Sequence, residues 1–253
     1  MAERLHGDGD HAHGPASVAE RRGTLTAARG GDTTEPWYFV AKTVVLPPVR
    51  LWFVLRHAGL EHIPREGPAI VACNHISYLD PLTNGEAVVR AGRRPRFLAK
   101  EDLFRIPIVG TVLRGAGQIP VVRGTRDGSS LDRAVAAIEG GEVVVIYPEG
   151  TVTKREDGLP MEGKTGVARL ALRTGAPVVP MASWGSQAVW QKSGKGSLRF
   201  GRPILTEVGE PLVFERDEDA DVERWREVTA EVMAGIRALA VGARDRYPRA
   251  WSG

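Results

Sequence analysis

Two short apolar runs, each ending in a polar turn, limit what this chain can fold into more than any other feature. Ala69-Ile70-Val71-Ala72-Cys73 carries no charge and gives way to Asn74-His75-Ile76-Ser77-Tyr78-Leu79-Asp80-Pro81. Glu142-Val143-Val144-Val145-Ile146-Tyr147 gives way to Pro148-Glu149-Gly150-Thr151. Runs this short, apolar and rich in β-branched residues read as buried strands. Helical patterns alternate with them, at 82–91, at 130–139 closed by Gly140-Gly141, and at 164–174 closed by Gly175. A late strand is expected over 198–205. Val222, Trp225, Val228, Val232, Ile236 and Leu239 then recur at helical spacing, which predicts a long amphipathic helix across the back of the domain. This order predicts an α/β fold in which a mixed β-sheet is sandwiched by helices. Such folds gather their chemistry at strand ends, so the two polar turns are expected to converge on one cleft.

His75 and Asp80 carry the chemistry of the first turn. Residues five apart point to different faces of a helix, so the pair does not suit a metal-binding helix. It suits a turn in which Ser77 caps a new helix and Asp80 folds back within its first turn. A carboxylate against one ring nitrogen fixes the tautomer and leaves the other nitrogen as a general base. A substrate that brings its own hydroxyl then needs no nucleophile from the protein. In the second turn Glu149 offers acceptors for a polyol, Gly150 admits close backbone approach, and Thr151 adds a hydroxyl. Taken singly, each has a plainer reading. Asp80 and Ser77 serve as helix caps, and Glu149 as a helix-start carboxylate. Cys73, the only cysteine, sits inside an apolar strand, where a thiol behaves as a small hydrophobe rather than a nucleophile.

Together the motifs resemble a known family. Asn74-His75-x-Ser77-x-x-Asp80 is similar to the first signature block of the glycerolipid acyltransferases, in the 1-acyl-glycerol-3-phosphate acyltransferase branch. Gly117-Gln118-Ile119-Pro120-Val121-Val122-Arg123 resembles the second block, Tyr147-Pro148-Glu149-Gly150-Thr151 the third, and Val178-Val179-Pro180 the fourth. The stretch Ala99-Lys100-Glu101-Asp102-Leu103-Phe104 is also similar. Four blocks in the family order are far more specific than any one of them. The resemblance implies a glycerol-3-phosphate acyltransferase-like fold and acyl transfer to the free hydroxyl of 1-acyl-sn-glycerol-3-phosphate. It makes His75 and Asp80 catalytic, with Lys100 and Arg123 on the acceptor phosphate and Glu149, Gly150 and Thr151 around its glycerol. Acyl-CoA or acyl-carrier protein is the implied co-substrate, with no metal and no bound cofactor.

One position departs from the pattern. The third block commonly continues Glu-Gly-Thr-Arg-Ser, whereas this chain reads Glu149-Gly150-Thr151-Val152-Thr153. Valine cannot make the bidentate phosphate contact of an arginine. Lys154 and Arg155 follow and are further candidate cations. The alternative is a different acceptor, another lysophospholipid or a glycolipid, or a thioester hydrolase in which water replaces the hydroxyl.

Length and composition frame these readings. The 253 residues suffice for one substantial domain, and 42% apolar with 26% charged residues is ordinary for a globular protein. Residues 1–36 lack apolar periodicity and are expected to be a disordered tail, with the acyltransferase domain at 59–253. Between them, 37–58 holds Trp37, Tyr38, Phe39, Trp52 and Phe53 but also Lys42, Pro47, Pro48 and Arg50. That is too interrupted for a transmembrane span, and it suits two short interfacial helices. Peripheral association with the cytoplasmic face of the cell membrane is the matching expectation. The basic stretch from Arg90 to Arg105 lacks the interleaved aromatics of a nucleic-acid surface, so no nucleic-acid partner is expected. It fits a solvated face, or attraction to anionic headgroups and coenzyme A phosphates. A catalytically idle lipid-binding protein would not require the His75–Asp80 pair.

Overall fold

The computed structural model describes residues 36–122 and 128–251. The amino-terminal tail and Arg123 lie outside them. Seven strands form one sheet: β1 (Val54–Ala58), β2 (Ala69–Cys73), β3 (Pro95–Lys100), β4 (Ile119–Val121), β5 (Val143–Ile146), β6 (Val178–Trp184) and β7 (Pro203–Val208). Their spatial order is β1-β7-β6-β2-β5-β3-β4. All neighbours are parallel except β6 and β7, which makes the sheet mixed as expected.

The central strands are apolar throughout because both of their faces are covered. Ile70 and Ala72 of β2 meet helices α6 (Ser129–Glu139), α7 (Gly166–Thr174) and α8 (Val222–Asp245) on one side. Ala69, Val71 and Cys73 meet Ala87 and Val88 of α3 (Asp80–Arg90) and Ile63 on the other. The stripe read from Val222 onward is this packing face, with Val228, Val232 and Ile236 fully buried. Asp221 caps α8 by accepting the Arg224 N–H at 2.8 Å.

Two boundaries move. The helical segment read over 37–58 runs as α1 (Pro36–Val40), a π-helical stretch Ala41–Val45 and α2 (Leu46–Trp52). It stops there, and Val54–Ala58 leaves it to become the edge strand β1, in register with Pro203–Glu207 of β7. The late strand begins at Pro203 rather than near 198. The Leu198 carbonyl accepts from the Trp52 indole at 2.9 Å, and Gly201 N–H donates to the Trp52 carbonyl at 2.9 Å, so this stretch pairs with the end of α2 instead. The short helices α4 (Glu101–Arg105) and α5 (Val109–Gly115) complete the elements near β3 and β4.

The strand directions position the site. β2, β5 and β6 are parallel, so Asn74 to Asp80, Tyr147 to Thr151 and Gly185-Ser186 all leave the sheet at the same end.

Candidate active site

The turn after β2 is organised around the Asp80 carboxylate, which has no solvent exposure. Its Oδ2 accepts from the Ile76 N–H at 2.7 Å, the Ser77 N–H at 2.8 Å and His75 Nδ1 at 2.9 Å. Its Oδ1 accepts from the Ser186 hydroxyl at 2.6 Å. Because a carboxylate only accepts, Nδ1 carries the proton and Nε2 is the basic nitrogen. Asp80 opens α3, where it also meets the positive end of the helix. Ser77 acts one step earlier than a helix cap. Its hydroxyl accepts the Leu79 N–H at 3.1 Å and donates to the Trp190 carbonyl at 2.8 Å.

The second turn closes on the first through Glu149. One carboxylate oxygen accepts the His75 backbone N–H and the other the Met161 N–H, both at 2.9 Å. Burial pushes this carboxyl above its ordinary range, against the pull of those two amides. Glu149 is therefore a brace between turns, with each of its oxygens bonded to backbone. The Thr153 N–H adds a further tie by donating to the His75 carbonyl at 2.6 Å. Tyr147 stacks on the His75 ring, with centroids 4.2 Å apart and planes at 22°. Burial drives the Tyr147 phenol well above its usual range, so it stays neutral, and it accepts from the Asn84 amide at 3.2 Å. Cys73 is likewise driven upward by burial, which keeps it a thiol and excludes it as a nucleophile.

Thus His75, Asp80 and Glu149 come together in one hydrogen-bonded frame, with Gly150 and Thr151 following Glu149 in the same turn. Lys100, the other expected residue that is described, does not join these contacts. Lys100, at the end of β3, pairs with Asp102, both half exposed, and Arg123 lies outside the described residues. Val152 is buried, and Arg155 forks onto Asp157 through Nε–Oδ1 at 2.9 Å. Two lysines that the sequence reading did not select stand at the turn instead. Lys164 crowds Gly150, whose positive φ of 67° turns the chain here; a Cβ at that position would lie 3.0 Å from the Lys164 ammonium. Lys192 donates to the Thr151 hydroxyl at 3.1 Å. A buried polar network also escaped notice. The Asn74 amide exchanges hydrogen bonds with the Ser183 backbone at 2.8 and 3.0 Å, and the Ser183 hydroxyl donates to Asn84. Apart from Asn74, which opens the first motif, none of these residues has a local pattern to mark it, since each partner is distant in sequence.

Beside the dyad lies an apolar cavity of about 240 Å³. Pro81, Leu82 and Gly85, just beyond Asp80, line one wall; Phe97, Leu103 and Val112 line another, and Tyr38, Val45 and Leu46 of the amino-terminal segment close it.

A mixed sheet between helices, with a histidine–aspartate pair at a strand end, defines the class, and comparison with known proteins agrees. The family model described as Acyltransferase matches residues 54–184, a little over half of the chain, and the protein belongs to that family. It is 30% identical to the 1-acyl-sn-glycerol-3-phosphate acyltransferase of Bacillus subtilis over 152 residues, 60% of this chain and 70% of that protein. It is 30% identical over 169 residues to a chloroplast protein of the same name from Arabidopsis thaliana, covering 65% of this chain. The match spans only 45% of that plant relative's length. The crystal structure of the 1-acyl-sn-glycerophosphate acyltransferase PlsC from Thermotoga maritima superimposes with a TM-score of 0.61 at 25% identity, covering 85% of this chain and 80% of that one.

Proposed function

We propose that this protein transfers a fatty acyl group from a thioester, acyl-CoA or acyl-carrier protein, to the free hydroxyl of 1-acyl-sn-glycerol-3-phosphate. The product is phosphatidic acid. The observation that carries this reading is His75 held by the buried Asp80 beside an apolar cavity. Nε2 of His75 takes the hydroxyl proton as the oxygen attacks the thioester carbonyl. The tetrahedral intermediate collapses, the carbon–sulfur bond breaks, and the imidazolium returns its proton to the departing thiolate. Asp80 stabilises the transient imidazolium and keeps the ring oriented. The apolar cavity suits the donor's acyl chain, since its lining is mainly apolar and includes Pro81 and Leu82, the residues that follow Asp80. The acceptor identity draws its support from the names of the relatives.

We place this reaction on a membrane surface as part of the same proposal. No helix among the described residues is long and apolar enough to cross a membrane. Phe39, Val44 and Leu51 are exposed at 66%, 62% and 76%, with Trp52 beside them. Apolar groups left this open, next to Lys42, fit an interfacial segment on anionic lipid at the cytoplasmic face of the cell membrane.

The decisive assay is thiol release from a long-chain acyl-CoA, with and without 1-acyl-sn-glycerol-3-phosphate. Transfer requires the acceptor. Release that ignores the acceptor would make the protein a hydrolase, and activity confined to another lysolipid or glycolipid would replace the acceptor.

A further inference from the structure

The acceptor proposed above carries a phosphomonoester, and among the described residues two of the cations that the motif pattern offers for it, Lys100 and Arg155, are spent on ion pairs. Val152 is buried, Arg155 is forked onto Asp157 and Lys100 is paired with Asp102. Lys192 is not spent. Its ammonium has no acidic partner within ion-pair distance among the described residues, and its hydrogen bond goes to the Thr151 hydroxyl at 3.1 Å. A threonine hydroxyl that accepts from an ammonium keeps its own proton to donate. Lys192 and Thr151 therefore present adjacent donors beside the His75 frame, and the Lys164 ammonium over Gly150 adds a second positive charge.

The loop bearing Lys192 is built rather than loose. The Trp190 carbonyl accepts from both the Ser77 hydroxyl at 2.8 Å and the Tyr78 N–H at 3.2 Å, which fastens the loop to the catalytic turn. Gln191 N–H donates to the Lys195 carbonyl, and Ser197 N–H to the Ala188 carbonyl, both at 2.9 Å. Gly196 is obligatory, because a Cβ there would lie 2.1 Å from the Val189 carbonyl oxygen. No acidic residue occurs between Glu162 and Glu207 in the sequence, so nothing on this stretch competes for the cation. The loop also lies beyond residue 184, where the family match ends.

Resting on the acyl-transfer reading, we propose that Lys192, with the Thr151 hydroxyl, binds the acceptor's phosphate and fills the place left by Val152. A charge-assisted contact to phosphate predicts that Lys192→Ala raises the KM for 1-acyl-sn-glycerol-3-phosphate by roughly tenfold or more, with a much smaller change in kcat. Lys192→Arg keeps the charge and restores most of the loss. The KM for acyl-CoA holds steady. An acceptor KM within about twofold of wild type overturns the assignment, since a lost ionic hydrogen bond exceeds that. A rise in the acyl-CoA KM instead would give the contact to the donor's phosphates and equally overturn it.

Binding separates this proposal from the reaction it rests on. In full-length His75→Ala protein, calorimetry reads affinity for 1-acyl-sn-glycerol-3-phosphate without turnover, and adding Lys192→Ala should weaken it roughly tenfold. If wild type transfers nothing to this acceptor yet binds it in a Lys192-dependent way, the reaction falls and the phosphate site stands. Binding that is absent, or indifferent to Lys192, removes the site whatever the activity.

Discussion

Helix α3 supports two histidine–carboxylate pairs, and they do opposite work. At its first residue Asp80 holds His75 Nδ1 at 2.9 Å; six residues later Glu86 lies 2.6 Å from His57 Nε2. Both carboxylates are fully buried. Asp80 is surrounded by neutral donors, two backbone amides and the Ser186 hydroxyl, which orient the ring without competing for it. Glu86 is surrounded by cations, with Arg50 at 3.0 Å and Arg90 closer still. The two rings differ as well. His75 keeps 14% of its side chain open with Nδ1 bound to Asp80, whereas His57 is 5% open and, among the described residues, meets Glu86 as a close ion-pair contact while neither ring nitrogen makes a hydrogen bond. A histidine–carboxylate pair is thus not a site in itself. Access makes it one; without access it is a rivet, here joining α2, β1 and α3.

The largest effect should separate the two histidines. His75→Ala removes the base and should lower kcat by about 10²–10⁴-fold while leaving the melting temperature near wild type. His57→Ala should do the reverse, lowering stability while each folded molecule keeps its kcat; parity between the two would erase the distinction. Asp80→Asn should lower kcat by about 10²-fold or more, because an amide can hold the wrong tautomer. Loss of activity strictly in step with unfolding would argue for a structural Asp80 instead.

Glu86→Ala strands His57 and should lower stability by about 1–3 kcal/mol, read by denaturant or thermal unfolding. Its acid dependence sharpens the point. Burial raises the Glu86 carboxyl, but the His57 and Arg90 contacts outweigh that and bring it from 4.5 down to about 2. The folded state therefore binds this proton less readily than the unfolded state. The stability Glu86 contributes is present above about pH 4.5 and is lost as pH falls toward 2. Melting temperature across that range should fall less steeply in Glu86→Gln than in wild type; equal slopes would show that the pair contributes nothing. The smallest effect is expected at Gly150. Alanine there adopts φ of 67° beside Lys164 and should cost about 1–2 kcal/mol.

Much of this was legible in the sequence. The apolar strands, the flanking helices and the His75–Asp80 geometry follow from local patterns, because buried strands, caps and turns write themselves into neighbouring residues. What was hidden depends on partners far away. β1 shows only an alternating edge pattern, and its identity as a strand comes from pairing with β7, about 150 residues later. The bonds from the His75 and Met161 backbone to the two Glu149 oxygens are likewise hidden, because no motif announces them. Ser186 and Lys192 sit in loops without periodicity, and only the folded chain brings them to Asp80 and Thr151.

The central claim is that His75, and not the similarly paired His57, is the base that activates an acceptor hydroxyl. The direct test compares acceptor-dependent thiol release by wild type, His75→Ala and His57→Ala, each normalised to folded protein. Release that vanishes only with His75→Ala is the expected result. Acceptor-dependent release that survives His75→Ala would contradict the account and require a different base.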